Sequence, residues 1–201
     1  MRALSMIVVL AALQLAACGD DDGGGPGTDA GTTTPRDGGG GGGGADAGPS
    51  GECASGPLAA PIADCRPAPL PSTGDPAQDC VDRINQLRWE CQCLPPLARW
   101  NEGEDCADMH PEYDSTRSPH AGFSAGICDP GGFGQNECPG WGSVEQTVSG
   151  CLQQMWDEGP GEDFQMHGHY LNMTNPGHTR VACGFFTTPG GDVWAVQNFG
   201  R

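Results

Sequence analysis

The sequence predicts an α+β sandwich crosslinked by disulfides, and three observations lead to this fold class. Apolar residues recur at helical spacing from Ala77 to Cys91 and again from Val144 to Met155. Residues 181–187 and 193–199 flank the turn sequence at 189–192, an arrangement typical of a β-hairpin. Ten of the eleven cysteines lie between residues 53 and 183. Helices followed by an antiparallel hairpin, with this many cysteines, indicate one exported α+β domain.

The N-terminus is similar to the signal peptide of a bacterial lipoprotein. Residues 3–17 form an apolar run after Arg2, and the run is too short to cross a bilayer as a permanent helix. It ends in Leu-Ala-Ala-Cys at Cys18, which resembles a lipobox. We therefore predict a signal peptide over residues 1–17 and a lipid on Cys18; an ordinary signal peptide with an incidental cysteine is the alternative. Because Gly19 follows instead of aspartate, we expect the protein at the outer membrane or cell surface.

Residues 18–51 are predicted to be the lipidated cysteine followed by a disordered linker. The segment consists mainly of Gly, Asp, Thr, Ala and Pro and contains no aromatic residue, so it cannot offset the entropy of ordering. A flexible chain of this length has a root-mean-square reach of roughly 30 Å. The formal net charge of the whole chain is -17. This charge argues against nucleic-acid partners and against binding to acidic lipid headgroups.

The cysteine count also supports export. Removing Cys18 leaves an even number, which predicts up to five disulfides in an oxidising compartment. Their connectivity cannot be deduced from the sequence, although a bridge within the lead-in between Cys53 and Cys65 is one hypothesis. A zinc site at Cys91-Gln92-Cys93 is the competing interpretation, but this spacing matches no common zinc finger. The ten cysteines are Cys53, Cys65, Cys80, Cys91, Cys93, Cys106, Cys128, Cys138, Cys151 and Cys183.

The first helix has the clearest start signal in the chain. A Pro- and Cys-rich lead-in over residues 52–75 precedes it and is predicted to be irregular. Asp75 is then a favourable N-cap, Pro76 occupies the first helical position, and Gln78 lies three residues after the cap. Pro95-Pro96 is expected to end the helix.

Two further helices are predicted before the hairpin. One begins at Asn101, although Pro111 makes it weak. The other begins at Ser143, which forms a capping box with Gln146, and it ends at Gly159-Pro160.

These elements carry a series of short motifs in a defined order. They are Asn85–Arg88 in the first helix, Pro95–Trp100 after it, His120, Gly134-Gln135-Asn136, Trp156–Glu158, Gly168-His169-Tyr170, Val181–Phe185 and Trp194–Phe199. In this order they resemble the CAP superfamily, which is named for cysteine-rich secretory proteins, antigen 5 and plant pathogenesis-related proteins. The resemblance covers residues 76–201 and implies a three-layer α-β-α sandwich.

The resemblance also implies a large open cleft. In the family, two histidines and two acidic residues line it and can hold a divalent metal. The positions that match in this chain are His120, Gln135 with its neighbour Asn136, Glu158 and His169, of which the two histidines are candidate ligands for an ion such as zinc.

Gln135 departs from the family pattern. A neutral amide cannot ionise and competes poorly with water for a zinc-like ion, so we predict weak metal binding at most. By the same reasoning, Gln135→Glu should strengthen metal binding by about ten- to a hundred-fold. The match at Glu158 is uncertain by one residue, since Asp157 is the alternative.

Three functions are compatible with the residues and the resemblance. The first is a binding module whose cleft holds a lipid or another small ligand. The second is a metal-dependent hydrolase, a peptidase, that uses His120, Glu158 and His169. The third is a rigid interaction domain with a vestigial cleft. The sequence favours binding or interaction over hydrolysis, because it contains no serine or cysteine nucleophile motif.

The other histidines are predicted to be structural. His167 and His169 are expected on an extended segment, where both face the same side. A solvent-facing His167 is favoured, and a metal-binding pair with His169 is the alternative. His178 is expected in a turn, and His110 at the frayed end of the second helix. Four tryptophans are predicted to be core residues: Trp89, Trp100, Trp141 and Trp156.

Overall fold

The computed structural model describes residues 52–201. The predicted signal peptide, the lipidated Cys18 and the linker lie outside the described residues. Within residues 52–201, no helix has both the length and the apolar character needed to cross a membrane.

The sheet has four strands in the order β1-β3-β4-β2. The predicted hairpin is confirmed: β3 (Arg180–Thr187) pairs antiparallel with β4 (Val193–Gly200). The short β1 (Ala98–Arg99) adds to β3 in parallel. On the other side, β2 (Gly134–Trp141) pairs antiparallel with β4 and forms an edge of the sheet. The sequence did not predict β2 as a strand.

Helix α1 (Pro76–Gln92) begins as predicted. The Asp75 carboxylate accepts hydrogen bonds from the backbone N–H groups of Ala77 and Gln78. The predicted apolar face is confirmed, because Cys80, Val81, Ile84, Leu87 and Cys91 are all buried. The helix ends before Pro95-Pro96 is reached, since Cys93 already adopts a left-handed conformation with φ of 55°.

The remaining helices differ from the prediction in detail. A 3-10 turn (Asn101–Gly103) leads into α2 (Glu104–Asp114), which contains Pro111, and α3 (Ala121–Ala125) follows. The predicted third helix is divided into α4 (Val144–Gln146), a π-helical segment (Thr147–Cys151) and α5 (Leu152–Asp157). Ser143 caps it as predicted by accepting from the Gln146 backbone N–H.

Helix α6 (Phe164–Thr174) corrects a prediction. Its segment, which includes His167 and His169, was expected to be extended. Asp163 caps this helix by accepting from the backbone N–H of Gln165. The sequence signal is weak because its buried residues are Tyr170, Asn172 and Met173, a mixed polar and apolar set.

The predicted three-layer α-β-α arrangement is confirmed by the two faces of β3. Val181 and Cys183 face the main core, which they share with α1, α5 and α6. Ala182, which points the opposite way, packs with Ala107 of α2 on the other face. Next to it, a Cβ on Gly184 would come within 2.1 Å of the Ala107 backbone. Helix α2 therefore lies directly on the sheet.

All ten cysteines of the described region form disulfides, as predicted. The pairs are Cys53–Cys93, Cys65–Cys91, Cys80–Cys183, Cys106–Cys128 and Cys138–Cys151. The hypothesis of a Cys53–Cys65 bridge is wrong, because both cysteines connect the lead-in to the end of α1. The same two bonds consume both thiols of Cys91-Gln92-Cys93, so the zinc interpretation of this motif is wrong too.

Candidate binding cleft

A cavity of about 560 Å³ lies beside the edge strand β2, and we call it the cleft. Its lining includes Glu137 and Pro139 of β2, Trp141 at the end of that strand, Met155 of α5, and then Glu158 and His169. The two acidic side chains and the histidine lie together, and the other three residues supply apolar surface. Because β2 is an edge strand, no further strand covers this side of the sheet.

Two of the residues that the resemblance singled out form a direct pair. Nδ1 of His169 lies 2.5 Å from Oε1 of Glu158. The other carboxylate oxygen of Glu158 accepts from the His169 backbone N–H at 3.0 Å. Asp157, the alternative to Glu158, is engaged elsewhere, with Gln153 and Arg66. Glu158, and not Asp157, is therefore the residue that lines the cleft and holds the ring of His169 through Nδ1.

His120 contacts Glu137, which lines the cavity, but His120 itself does not line it. It has a positive φ of 63° at the start of α3, an uncommon backbone conformation for a non-glycine residue. Its backbone N–H donates to Oε2 of Glu137 at 2.5 Å, and its ring Nδ1 lies 2.8 Å from Oε1 of Gln135. The structure thus connects His120 to Gln135 and Glu137, and it does not place His120 and His169 in one cluster of ligand atoms.

Gln135 is 6% exposed, and its amide nitrogen points away from the cleft. Nε2 of Gln135 lies 2.8 Å from Nδ1 of His110 and donates to Oδ1 of Asn198 at 2.9 Å. His110, expected at a frayed helix end, is 1% exposed, so that prediction is wrong. Burial lowers the pKa of His110 below its usual range, so the neutral imidazole is favoured.

Glu137 is a site residue that the sequence motifs did not reveal. It lies two residues after Gln135 on β2, so both side chains point to the same side of the strand. Its side chain is completely buried against Asp114, which is itself 0% exposed. Asp114 Oδ2 and Glu137 Oε1 have no other hydrogen-bond partner within the described chain.

A proton on Glu137 accounts for this carboxyl pair. Two buried carboxylates cannot both be ionised at close range without a large repulsion. Burial, together with the Asp114 charge, raises the pKa of Glu137 to about 8, although the hydrogen bond from the His120 backbone opposes the shift. The outer oxygens of the pair accept from the backbone N–H groups of His120 and Gly122. The protonated pair therefore fixes the backbone at the start of α3.

Asn136 has a structural position. Its side chain is 0% exposed and lies on the opposite side of β2, under helix α6. It donates to the His169 carbonyl and accepts from the Asn172 side chain. Asn136 thus ties α6 to the edge strand and helps to place His169 in the cleft.

The remaining predictions for histidines and tryptophans have mixed outcomes. His178 was predicted in a turn and is the last residue of one, since its N–H donates to the Asn175 carbonyl, and it is buried and stacks on Phe199. His167 is half-buried, and its Nδ1 contacts the carbonyl oxygens of Glu158 and Gly159, so it does not simply face solvent.

The four tryptophans have different outcomes. Trp100 and Trp156 are core residues, as predicted. Trp89 is 40% exposed, so its prediction as a core residue is wrong. Trp141 is half-buried: it packs against the core and also lines the cleft.

The residues do not assemble a closed metal site. Among residues 52–201, Cys106, His110 and Cys128 are the three metal-ligand side chains whose atoms lie within 4.8 Å of one another. The two cysteines of this group form a disulfide with each other and supply no thiolate. Both amide atoms of Gln135 are engaged by other side chains, and Glu158 faces Nδ1 of His169. The amide of Gln135 is therefore not free to bind an ion, and the expected weak binding of zinc stays a prediction.

Glu158 and His169 are the polar pair of the cleft that can accept a hydrogen bond. Nδ1 of His169 faces a carboxylate, so it carries a proton, and in the neutral ring Nε2 is an acceptor. Trp141 and Met155 supply apolar surface on the cavity wall. The cleft is therefore suited to a molecule with an apolar body and a hydroxyl or amine group.

Comparison with known families gives one match. The family model described as CAP: Cysteine-rich secretory protein family matches residues 81–199, more than half of the chain. The search among curated proteins found no match to this sequence.

Proposed function

Since this chain belongs to the cysteine-rich secretory protein (CAP) family, we propose that it is an exported, lipid-anchored protein that binds a small ligand in the cleft. Five disulfides within one domain support an oxidising compartment outside the cytoplasm. The lipobox-like sequence at Cys18 and the glycine-rich linker support a tether that holds the domain away from an outer membrane or cell surface.

The composition of the cleft carries the proposal of ligand binding. A volume of about 560 Å³ is in the range of small-molecule sites. Trp141 and Met155 would contact an apolar part of the ligand, and His169 with Glu158 would accept a hydrogen bond from its polar end. A lipid-like molecule with one hydroxyl or amine group has this combination of properties.

The test is to identify what co-purifies with the protein. The full chain is expressed in an export-competent host, purified in detergent, extracted with organic solvent and examined by mass spectrometry. We compare the wild type with Trp141→Ala, which removes the aromatic wall of the cleft, and with Trp89→Ala as a matched control. Trp89 is exposed and does not line the cleft.

If the ligand binds in the cleft, the three proteins should not all retain the same amount of it. The wild type and Trp89→Ala should retain the same enriched small molecule, and Trp141→Ala should retain at least tenfold less of it. Equal retention by all three proteins would place the ligand elsewhere. No enriched molecule in any of them would contradict ligand binding and favour an interaction domain.

One observation favours a second function, which is hydrolysis. A carboxylate that orients a histidine through Nδ1 leaves Nε2 in the position of a general base. Glu158 and His169 have this arrangement. Assays with chromogenic ester and peptide substrates should then show turnover that His169→Gln abolishes and His167→Gln preserves. Absence of wild-type turnover across these substrates would contradict this second proposal.

A further inference from the structure

We infer that Gln135 is a positioning residue that, together with His110 and Asn198, holds His120 in its Nδ1–H tautomer and so leaves Nε2 of His120 as a hydrogen-bond acceptor. The inference deepens the proposed function, because it concerns a second acceptor beside the cleft. It assigns a role to the glutamine that departs from the family's acidic residue.

The first step concerns the orientation of the Gln135 amide. Gln135 and Asn198 are directly paired in the antiparallel ladder between β2 and β4. Asn198 accepts from Nε2 of Gln135 through Oδ1, and its own amide nitrogen lies 3.3 Å from Nδ1 of His110. Nδ1 of His110 is thus contacted by two amide nitrogens, which can only donate. It must therefore be the unprotonated nitrogen of that ring.

The second step concerns the other nitrogen of His110. Nε2 carries the proton in the neutral ring and lies 3.4 Å from Sγ of Cys128, which is disulfide-bonded to Cys106. A disulfide sulfur can act only as a weak acceptor, which agrees with a donor at Nε2. Burial lowers the pKa of His110, and this favours the neutral ring that the network requires.

The third step concerns which ring nitrogen of His120 carries the proton. Both N–H groups of the Gln135 amide are directed to His110 and Asn198, so its carbonyl oxygen is the atom that faces His120. A carbonyl oxygen accepts and cannot donate, and it lies 2.8 Å from Nδ1 of His120. Nδ1 must therefore carry the proton. Nε2 has no hydrogen-bond partner within the described chain, and the side chain is 38% exposed.

The backbone keeps the ring of His120 at this place. Its backbone N–H donates to the buried carboxyl of Glu137. Two residues later, the backbone N–H of Gly122 donates to Asp114, which also holds this segment in place. His169 follows the same scheme, with Glu158 in the role of Gln135. In their neutral forms the two histidines then offer unprotonated Nε2 atoms, which favours ligands that donate hydrogen bonds, such as alcohols and amines.

An amide at position 135 is required by this network. A glutamate there would face Oδ1 of Asn198 without a proton to share, and it would leave Nδ1 of His110 without one of its two donors. The departure from the family pattern thus has a structural reason in the surrounding residues.

The experiment is ¹⁵N NMR of the histidine rings in the full chain, without any ligand. Spectra are recorded at about pH 8, where an unperturbed imidazole is neutral. Long-range correlation spectra distinguish the two tautomers by the chemical shifts of Nδ1 and Nε2. The His120→Asn and His110→Asn variants assign the signals. We expect the Nδ1–H pattern for His120 and the Nε2–H pattern for His110.

Two variants test the role of Gln135. Gln135→Leu removes the carbonyl, and we expect His120 to change to the Nε2–H pattern or to a mixture of the two tautomers. Gln154→Leu is the matched control, because Gln154 lines the cleft but bonds to neither ring, and it should leave the His120 signals unchanged.

Several outcomes would overturn the inference. They are Nε2–H in wild-type His120, Nδ1–H in wild-type His110, or an unchanged His120 in a folded Gln135→Leu variant. The wild-type spectrum decides even if the variant does not fold. Because no ligand is present, a failure of the ligand-binding proposal leaves this result untouched, and the two can be told apart.

Discussion

Replacing Glu137 with glutamine should remove a pH-dependent destabilisation of the folded domain. In the wild type, the buried pair of Glu137 and Asp114 needs one proton, which the unfolded chain has lost at neutral pH. Glutamine has nearly the same shape and needs no proton. Its carbonyl would accept from the His120 N–H, and its amide would donate to Oδ2 of Asp114.

The raised pKa sets the sign and the size of the effect. The carboxyl of Glu137 loses its proton near pH 4.5 in the unfolded chain and near pH 8 in the folded domain. Between these values folding takes up a proton, so wild-type stability falls as the pH rises. Each pH unit corresponds to 1.36 kcal/mol, so the loss between pH 4.5 and pH 7 is about 3 kcal/mol. From pH 7 to pH 8 a further loss of about 1 kcal/mol is expected.

The assay is guanidinium denaturation at several pH values, followed by tryptophan fluorescence with the disulfides intact. The most informative interval is pH 7 to 8. Burial lowers the pKa values of His110 and His178, so these groups reduce stability only below about pH 6.5. Glu137→Gln should equal the wild type near pH 4.5, exceed it by about 3 kcal/mol at pH 7, and show no decline toward pH 8.

Glu162→Gln is the matched control, because Glu162 is exposed. Its stability should follow the wild-type curve. Parallel curves for the wild type and Glu137→Gln would refute the reasoning, since the proton taken up on folding would then belong to another group. A variant that is less stable at every pH would show that the carboxyl makes a bond that the amide cannot replace.

Four further predictions follow from the fold and the sequence. Gly184→Ala should lower the free energy of unfolding by about 3 kcal/mol or more, because its Cβ would collide with the α2 backbone, whereas Gly190→Ala should have little effect; denaturation curves measure both. Labelling in denaturant without reductant should detect no thiol in residues 52–201, and two or more reactive thiols would contradict the five disulfides. Cys18→Ser should move the protein from the detergent phase to the aqueous phase, and retention with membranes would exclude the predicted anchor. Calorimetric titration should show weak zinc binding that is reduced by at least tenfold in His120→Ala/His169→Ala; equal affinities would exclude the histidines as ligands.

The parts of the fold that could be predicted are those with a local signal. Helix α1 has a cap and a regular apolar face, and the hairpin has two alternating segments around a turn, so both follow from neighbouring residues. Strand β2 lacks such a signal, because five consecutive residues from Gly134 to Cys138 are buried and three of them are polar. A strand of this kind is stabilised by partners from other elements, which the local sequence does not reveal.

The candidate site also has a part that the sequence predicted and a part that only the structure shows. The resemblance identified His120, Glu158 and His169, because each lies in a short motif of the family. It also identified Gln135, but as a lost metal ligand. The contacts of Gln135 with His110 and Asn198 join residues that are 25 and 63 positions away, and they change its interpretation.

The sequence by itself determined the family, the α+β class, the start of α1 and the presence of enough cysteines for five disulfides. Composition, periodicity and short motifs are sufficient for these conclusions. Only the tertiary structure decided which cysteines pair, that Glu137 is buried beside Asp114, and which atom of Gln135 faces His120. These properties depend on distances and orientations between residues far apart in the chain, and such distances exist only after the helices and the sheet have packed together.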